Sequence, residues 1–119
     1  MLKLINESYI ESSHDVSLGG IIVAISKMCI KGNKGIKFKK FKSLINKFEY
    51  FFGEDQGRYI IEIDKNNLNK VTEILKNNSV NYDEIGVLKE KDIEADGEFL
   101  LKLEELKKEY KIWLKKYII

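Results

Sequence analysis

The chain has 119 residues, of which 44% are hydrophobic and 34% charged, and its formal net charge at pH 7 is +2. This length and composition predict one globular domain over residues 1–119 and exclude a disordered chain. No stretch approaches the roughly 18 consecutive apolar residues of a membrane-spanning helix, and the N-terminus shows no secretory signal. Cys29 is the single cysteine, so no internal disulfide can form. A lone thiol is typical of a reducing compartment, and we expect a cytoplasmic protein.

The basic residues are almost all lysine, because Arg58 is the only arginine among 21. Proteins that bind nucleic acids usually use arginine for bidentate contacts with phosphates and base edges. We therefore interpret the run KFKKFK, at 37–42, as a solvated face, with a basic nucleic-acid patch as the alternative. The sequence predicts neither a nucleic-acid partner nor a membrane partner.

The first half of the chain predicts helices separated by short strands. A helix is predicted over 2–8, with Leu2 and Ile5 on one face, and a strand over 9–16. A helix over 18–31 follows, and then a strand or helix lead-in over 36–41. The next predicted helix covers 41–52, and its apolar residues at helical spacing are Phe41, Leu44, Ile45, Phe48 and Phe52. The helix over 18–31 is apolar almost all the way round, which indicates burial on most sides. Gly32 is expected to end it in the left-handed conformation.

The second half predicts four further strands, two of them in a hairpin, and two helices. In order, these are a strand over 58–63, a helix over 64–78 capped by Asp64 or Asn66, a strand over 80–88, a hairpin over 92–103 around Asp96-Gly97, and a helix from Leu103 with a stripe of Leu106, Tyr110, Trp113, Leu114 and Tyr117. Interleaved helices and strands with hairpin pairing predict an α+β fold, with helices packed on a mixed, largely antiparallel sheet.

The stretch HDVSLGG, 14–20, places two poor helix formers at the start of the buried helix. If Ser17 is the N-cap, the next three residues form the first helical turn, whose amides have no intrahelical partner. Each glycine costs a helix about 1 kcal/mol relative to alanine, but bare backbone lets an external anion approach those amides. The motif therefore predicts a phosphate cradle at Gly19 and Gly20. Asp15 would hold a divalent cation beside it.

His14 would hydrogen-bond a phosphate or orient Asp15. The alternative is purely structural: two glycines permit close packing of the helix, an aspartate suits a helix N-terminus, and a lone histidine is satisfied within the fold. The motif lacks the GxxxxGK pattern of a Walker loop.

A second motif, FFGEDQGRY at 51–59, interrupts an apolar stretch with polar residues bracketed by Gly53 and Gly57. The sole arginine suggests a planar, forked contact that lysine cannot replace. The alternative is an ordinary helix-to-strand loop with an internal Arg–Glu pair. Cys29 lies in an apolar helix and is predicted to be inert core. The sequence contains no zinc pattern and no Ser/His/Asp arrangement, so it predicts no catalytic residue.

Three segments together resemble one family: HDVSLGGIIVAISKM (14–28), FFGEDQGRYIIEI (51–63) and LEELKKEYKIWLKKYI (103–118). They are similar to the final AIR-synthase-related C-terminal domain of the synthetase subunit of phosphoribosylformylglycinamidine synthase, over about residues 3–119. The family pattern is close to HDVSDGG and FGEDQGRY, so Leu18 stands where a polar residue is usual. The resemblance implies an AIR synthase C-terminal domain-like fold.

The resemblance also implies an ATP-dependent ligase that converts formylglycinamide ribonucleotide and glutamine-derived ammonia to the amidine in de novo purine biosynthesis. ATP and Mg²⁺ would be its cofactors, although this chain alone would bind neither tightly. Its partners would be the remaining synthetase domains, which carry the ATP-binding site, a glutaminase subunit and a small accessory subunit. We expect the isolated chain to be inactive and to form homodimers.

The resemblance assigns site residues by analogy with the sister domain of such synthetases. Asp15 would be the metal ligand at an auxiliary nucleotide site; His14, Ser17, Gly19, Gly20 and Arg58 would bind nucleotide or phosphate; Glu54, Asp55 and Gln56 would line the substrate cleft. A stand-alone or relic binding domain of the same superfamily is the alternative. Aminoimidazole ribonucleotide, selenophosphate and thiamine-phosphate enzymes share the fold but are not favoured by the second motif.

Overall fold

The computed structural model describes residues 1–39, 46–54, 57–95 and 97–117. Its elements are α1 (Leu2–Asn6), β1 (Ser12–Asp15), α2 (Gly20–Gly32), β2 (Gly35–Phe38), α3 (Lys47–Phe52), β3 (Tyr59–Glu62), a 3-10 turn (Lys65–Asn67), α4 (Leu68–Asn77), β4 (Gly86–Lys89), β5 (Ile93–Ala95), β6 (Phe99–Leu101) and α5 (Leu103–Tyr117). The alternation confirms the predicted α+β class. None of the helices in these ranges has the length and apolarity that crossing a bilayer requires.

The strands form two sheets. One consists of β1 and β3, which run antiparallel, and the other has the order β4-β2-β5-β6. In the larger sheet β2 is antiparallel to β4 and parallel to β5, and β5 forms the predicted hairpin with β6. The expected mixed, largely antiparallel pairing is confirmed. Asp96, in the hairpin turn, lies outside the described residues.

The core lies between α2 and one face of the larger sheet. Alternation along β2 buries Ile36 and Phe38 and turns Lys37 outward, and β5 repeats the pattern with Ile93 and Ala95. Phe38 belongs to an edge-to-face cluster with Phe51 and Phe99, whose ring centroids lie 5.1–6.3 Å apart. This cluster attaches α3 to the sheet and thereby fixes the start of the loop that carries the second motif.

The boundaries of α2 differ from the prediction. The helix begins at Gly20 and Gly19 is its N-cap, with φ +85°, so the prediction that Ser17 is the N-cap is wrong. The amide of Gly20 instead donates to the carbonyl oxygen of Ser17 at 3.1 Å, which closes a tight turn. At the other end Asn33, with φ +53°, takes the left-handed conformation predicted for Gly32.

Two short helices bury a different face from the one expected. In α1 the buried residue is Leu4, whereas Leu2 and Ile5 are exposed. In α3 Phe51 is buried, whereas Phe48 and Phe52 are exposed, and the predicted part over 40–45 lies outside the described residues. Each helix spans less than two turns, so a single contact with the core decides its orientation rather than the periodicity of its side chains.

The last two helices follow the sequence pattern more closely. Asp64 caps the turn before α4 by accepting from the amide of Asn66 at 2.7 Å, and Val71 is the buried residue of α4. Helix α5 begins at Leu103, as predicted, and packs this residue and Leu106 against the core. Farther along α5 lie exposed apolar side chains, namely those of Tyr110, Ile112 and Trp113.

Candidate functional site

The two sequence motifs lie side by side because β1 pairs with β3. Asp15, the last residue of β1, is opposite Tyr59, the first residue of β3. The amide of Val16 donates to the carbonyl oxygen of Arg58 at 2.9 Å, so the pairing continues beyond the strands. The segment after β1 and the segment before β3 therefore form adjacent walls.

A cleft of about 340 Å³ opens between these two walls. Its lining residues are Asp15, Val16, Ser17, Leu18, Glu54, Gly57, Arg58 and Tyr59. Each motif contributes half of them, so the two segments that the family resemblance assigns to one region line a single cleft. Asp55 and Gln56 lie outside the described residues, and His14, Gly19 and Gly20 are not among the lining residues.

The amide of Gly19 already has an anionic partner within the chain. It donates to Oε1 of Glu54 at 2.8 Å, which places a carboxylate at the start of α2. The exposed amides and the dipole of a helix N-terminus favour negative charge. Glu54 therefore accepts the hydrogen bond from the Gly19 amide that the sequence analysis expected an external phosphate to accept.

Gly20 has a packing reason for being glycine. A Cβ there would lie 2.6 Å from the carbonyl carbon of Phe52 and 2.7 Å from the oxygen of Phe51, and its φ is +75°. Side chains other than glycine are strained at such a φ and cannot fit against another backbone at this distance. This contact agrees with the structural alternative for the glycine pair and brings the end of α3 against the start of α2.

Arg58 braces the loop of the second motif. Its Nη2 donates to the carbonyl oxygen of Gly53 at 2.5 Å, across the base of the loop that the two residues bound. Glu54, the acid expected to pair with this arginine, bonds to Gly19 instead. Arg58 is one of the lining residues of the cleft, and a guanidinium group suits a phosphate or carboxylate.

His14 and Asp15 point to opposite sides of β1. The side chain of Asp15 is exposed at the cleft, whereas that of His14 is half-buried on the face shared with Ile60. Nδ1 of His14 lies 2.6 Å from the carbonyl oxygen of Asp15 and 3.8 Å from its carboxylate. His14 therefore contacts Asp15 from the side of β1 that faces away from the cleft. This position fits the predicted orienting role better than direct contact with a ligand.

The donors at the cleft fit Mg²⁺ shared with a ligand. Mg²⁺ is usually held by one or two carboxylates together with phosphate oxygens and water, and Asp15 presents one exposed carboxylate. Within the described ranges no three His, Cys, Asp or Glu side chains converge on a metal position. Asp15 is a single ligand, so a Mg²⁺ ion at the cleft would need its other oxygens from outside the described residues.

Four lining residues were missed by the sequence analysis, namely Val16, Leu18, Gly57 and Tyr59. Leu18 and Tyr59 are 80% and 63% exposed, although both are large and apolar. The signal for Tyr59 was its place in the strand, since alternation turns it to the side opposite the buried Ile60. Nothing in the sequence placed Leu18 at a cleft.

Cys29 lies away from the cleft in the core. Burial, assisted by the charge of Glu62, raises the pKa of its thiol to about 11. A thiol in this state is a poor nucleophile at neutral pH. Cys29 therefore has no part in the chemistry of the cleft.

The fold and the cleft define an α+β domain in which a glycine turn before a buried helix faces a polar loop. The family model for "AIR synthase related protein, C-terminal domain" matches residues 1–96. The chain belongs to this family.

Curated relatives share the match over nearly the whole chain. The phosphoribosylformylglycinamidine synthase subunit PurL of Pelagibacter ubique is 54% identical over 118 residues, which are 99% of this chain and 16% of the relative. The PurL subunit of Bartonella bacilliformis is 33% identical over 97% of the chain and 16% of its own length. The chain therefore spans about one sixth of the length of these relatives.

Solved structures share the fold. The PurLQS structure from Thermotoga maritima has a TM-score of 0.79 at 19% identity, covering 89% of this chain and 20% of that one. T. maritima PurL complexed with FGAR has a TM-score of 0.76 at 18% identity, covering 89% and 19%. These likenesses confirm the predicted AIR synthase C-terminal domain-like architecture.

Proposed function

We propose that this chain serves as the AIR-synthase-related C-terminal domain of a phosphoribosylformylglycinamidine synthase, where it supplies two adjacent walls of a nucleotide and substrate cleft. The observation that carries the proposal is that both motifs line a single cleft. The names of the relatives that match nearly the whole chain support the reaction. That reaction is the ATP-dependent conversion of formylglycinamide ribonucleotide and ammonia to the amidine.

The residues of the first wall would act on the phosphate end of a nucleotide. Asp15 would hold Mg²⁺ beside the phosphates, and His14 would orient that carboxylate. Ser17 would donate its hydroxyl to a phosphate oxygen. Gly19 would offer its amide once Glu54 moves away, and Gly20 would keep the turn close to α3. Bound Mg²⁺ would neutralise phosphate charge and fix its position.

The residues of the second wall would act on both ligands. Arg58 would bind phosphate through its guanidinium, while the loop residues Glu54, Asp55 and Gln56 would contact the substrate. The bond from Arg58 to Gly53 supports this division, because it ties Arg58 to the residue before Glu54.

ATP use by the complete enzyme is supported by T. maritima PurL structures complexed with ATP and AMPPCP. The partners we propose are the remaining synthetase domains, the glutaminase subunit and the small accessory subunit, and the PurLQS structure supports an assembly. We propose a cytoplasmic location, as expected of such an enzyme. Because phosphoryl activation depends on positioning all reactants together, this chain alone would be inactive and would bind ATP weakly.

The test is a chimera in which this sequence replaces the matching segment of the P. ubique PurL protein. We expect the chimera, mixed with ATP, Mg²⁺, ammonia and the ribonucleotide, to form the amidine and release ADP. Asp15→Asn and Arg58→Lys in the chimera should lower that activity or the nucleotide content. Lys76→Ala, at the distant end of α4, is the matched control.

A folded chimera that forms no amidine, beside an active P. ubique protein, would contradict the proposal. It would favour the relic or stand-alone binding domain instead. Full activity in both Asp15→Asn and Arg58→Lys, with unchanged nucleotide content, would leave the domain assignment standing and remove the roles proposed for these two residues.

A further inference from the structure

Two apolar side chains from different segments line a cleft that is otherwise polar. Leu18 comes from the turn before α2, and Tyr59 is the first residue of β3. They are among the most exposed large apolar residues, at 80% and 63%. Because these two side chains are exposed, they contribute little burial free energy to the fold. Their position at a cleft of the size of a ligand therefore requires an explanation.

The backbone explains why both side chains face outward. Tyr59 is opposite Asp15 in the β1–β3 register, so its ring projects on the same side as that carboxylate, while Ile60 turns into the core. Leu18 follows Ser17 in the turn closed by the bond from the amide of Gly20, which lifts it away from α2. The ring of Tyr59 thus lies beside the group proposed to hold Mg²⁺.

The lining combines two kinds of chemistry. Asp15 and Arg58, with Mg²⁺, suit phosphate, but a ligand made only of phosphate would leave both apolar side chains in water. A flat, uncharged ring would cover them, and stacking on an aromatic side chain is favourable for every nucleobase. A ligand that carries both parts is an intact nucleotide.

Building on the proposed function, we propose that Leu18 and Tyr59 are specificity-determining residues that select an intact nucleotide over a ligand with phosphate alone. The base stacks on Tyr59, and Leu18 covers its other edge. The contact depends on the face of the tyrosine ring and not on its hydroxyl.

The experiment compares ATP with inorganic tripolyphosphate, both with Mg²⁺ at millimolar concentrations, in NMR titrations of the 119-residue chain. The two ligands share the phosphate chain and differ in the nucleoside. We expect ATP to shift the Leu18 methyl and Tyr59 ring signals and to give contacts between adenine protons and the Tyr59 ring. Tripolyphosphate should shift only signals of Asp15, Ser17 and their neighbours.

Variants separate the ring from the hydroxyl. Tyr59→Phe should retain ATP affinity, whereas Tyr59→Ala and Leu18→Asn, which add no charge, should each weaken it about fivefold or more and leave tripolyphosphate binding unchanged. Leu100→Ala, at an exposed residue of β6 outside the cleft, is the matched control. Each variant replaces an exposed side chain, and its spectrum reports directly whether the fold is retained.

The outcomes distinguish the two proposals. Equal shifts from ATP and tripolyphosphate, or unchanged ATP affinity in Tyr59→Ala, would overturn the clamp and leave a phosphate site standing. Loss of ATP affinity in Tyr59→Phe would show a hydroxyl contact and would also overturn it. If neither ligand shifts any signal at the cleft, both the clamp and the proposed nucleotide site are wrong.

Discussion

The carboxylate of Glu54 and the amide of Gly19, 35 residues apart in sequence, are joined by a hydrogen bond of 2.8 Å. The bond ties the loop of the second motif to the start of α2. It also gives the helix N-terminus a negative partner from within the chain, so that an incoming anion must compete with Glu54.

Removing this competitor is expected to strengthen anion binding. In Glu54→Ala the Gly19 amide is released and one negative charge leaves the cleft, so inorganic phosphate should bind about threefold to tenfold more tightly. The phosphate affinity is measured from the shift of the Gly19 amide signal in an NMR titration. Glu54→Gln keeps a hydrogen-bond acceptor but loses the charge, so its phosphate affinity should lie between those of the parent protein and Glu54→Ala. Equal affinities, with the same Gly19 shift in all three proteins, would contradict competition.

Gly20→Ala is expected to destabilise the fold by about 2 kcal/mol or more. The added Cβ meets the backbone of Phe52, which cannot rotate away, and the positive φ adds strain. The matched control is Gly32→Ala, at the exposed end of the same helix, where a Cβ would have no neighbour within 4 Å. This variant should be stabilised by up to about 1 kcal/mol. Urea unfolding measures both, and a Gly20→Ala protein as stable as the parent would show that α2 and α3 are farther apart.

Asp92 is expected to make the stability of the fold depend on acidic pH. Its Oδ1 accepts from the amide of Leu103 at 3.0 Å at the start of α5, and this bond, assisted by Lys102 and other lysines, lowers the pKa of the carboxyl. A pKa lower in the folded state than in the unfolded one stabilises the fold above the unfolded value, about 3.9, and this gain is lost as pH falls through the folded value.

Asp92→Asn tests this dependence without straining the backbone, because asparagine tolerates the φ of +67° and keeps an acceptor. Urea midpoints should fall at pH 7, and their decline between pH 5 and acid should become shallower. Glu90→Gln, which removes one exposed negative charge nearby, serves as the control. A variant that keeps the full acid dependence of the parent would rule Asp92 out as its source.

Cys29 is expected to make the stability of the fold depend on pH in the alkaline range. Because burial raises the pKa of its thiol to about 11, well above the ordinary value of a cysteine, the folded state disfavours the thiolate. The associated stability is complete below about pH 9 and is lost as pH rises toward 11, a change on the order of 2 kcal/mol. The difference in urea midpoint between pH 8 and pH 10.5 should be smaller in Cys29→Ala. Equal differences in the two proteins would assign the alkaline loss to other groups.

The exposed apolar side chains of α5 are expected to drive homodimer formation. Tyr110 and Trp113 are spaced by three residues, so they share one helix face, and exposed patches of this kind favour self-association. Light scattering should show concentration-dependent dimers, which Tyr110→Lys with Trp113→Lys should weaken at least about tenfold. Leu100→Lys on β6 is the control. A parent chain that is monomeric at all concentrations would remove this prediction.

The order of the elements was predictable because it depends on local pattern. The hairpin of β5 and β6, the start of α5 at Leu103 and the cap at Asp64 all follow from turn and capping residues close in sequence. The family resemblance was carried by two contiguous motifs, and it also needed no tertiary information.

The details of the cleft were not predictable from local pattern. The start of α2 at Gly20 depends on the backbone of α3, which lies 30 residues away in sequence. The bond between Glu54 and Gly19 and the convergence of Leu18 with Tyr59 likewise depend on how β1 pairs with β3. Periodicity identifies which residues are apolar, but in the short helix α3 it could not identify which of Phe48, Phe51 and Phe52 would be buried.

The pairing of β2 has a consequence for synthesis on the ribosome. The strand ends at Phe38, but its first partner, β4, begins only at Gly86. At 5–20 residues per second, the nascent strand waits roughly 2 to 10 s with both edges unpaired and with Ile36 and Phe38 in water. Lys37 places a charge between them, which is how natural sequences protect apolar strands from association. The larger sheet can therefore close only after translation passes Leu101, and until then Lys37 and the neighbouring lysines Lys34 and Lys39 help to keep the unpaired strand soluble.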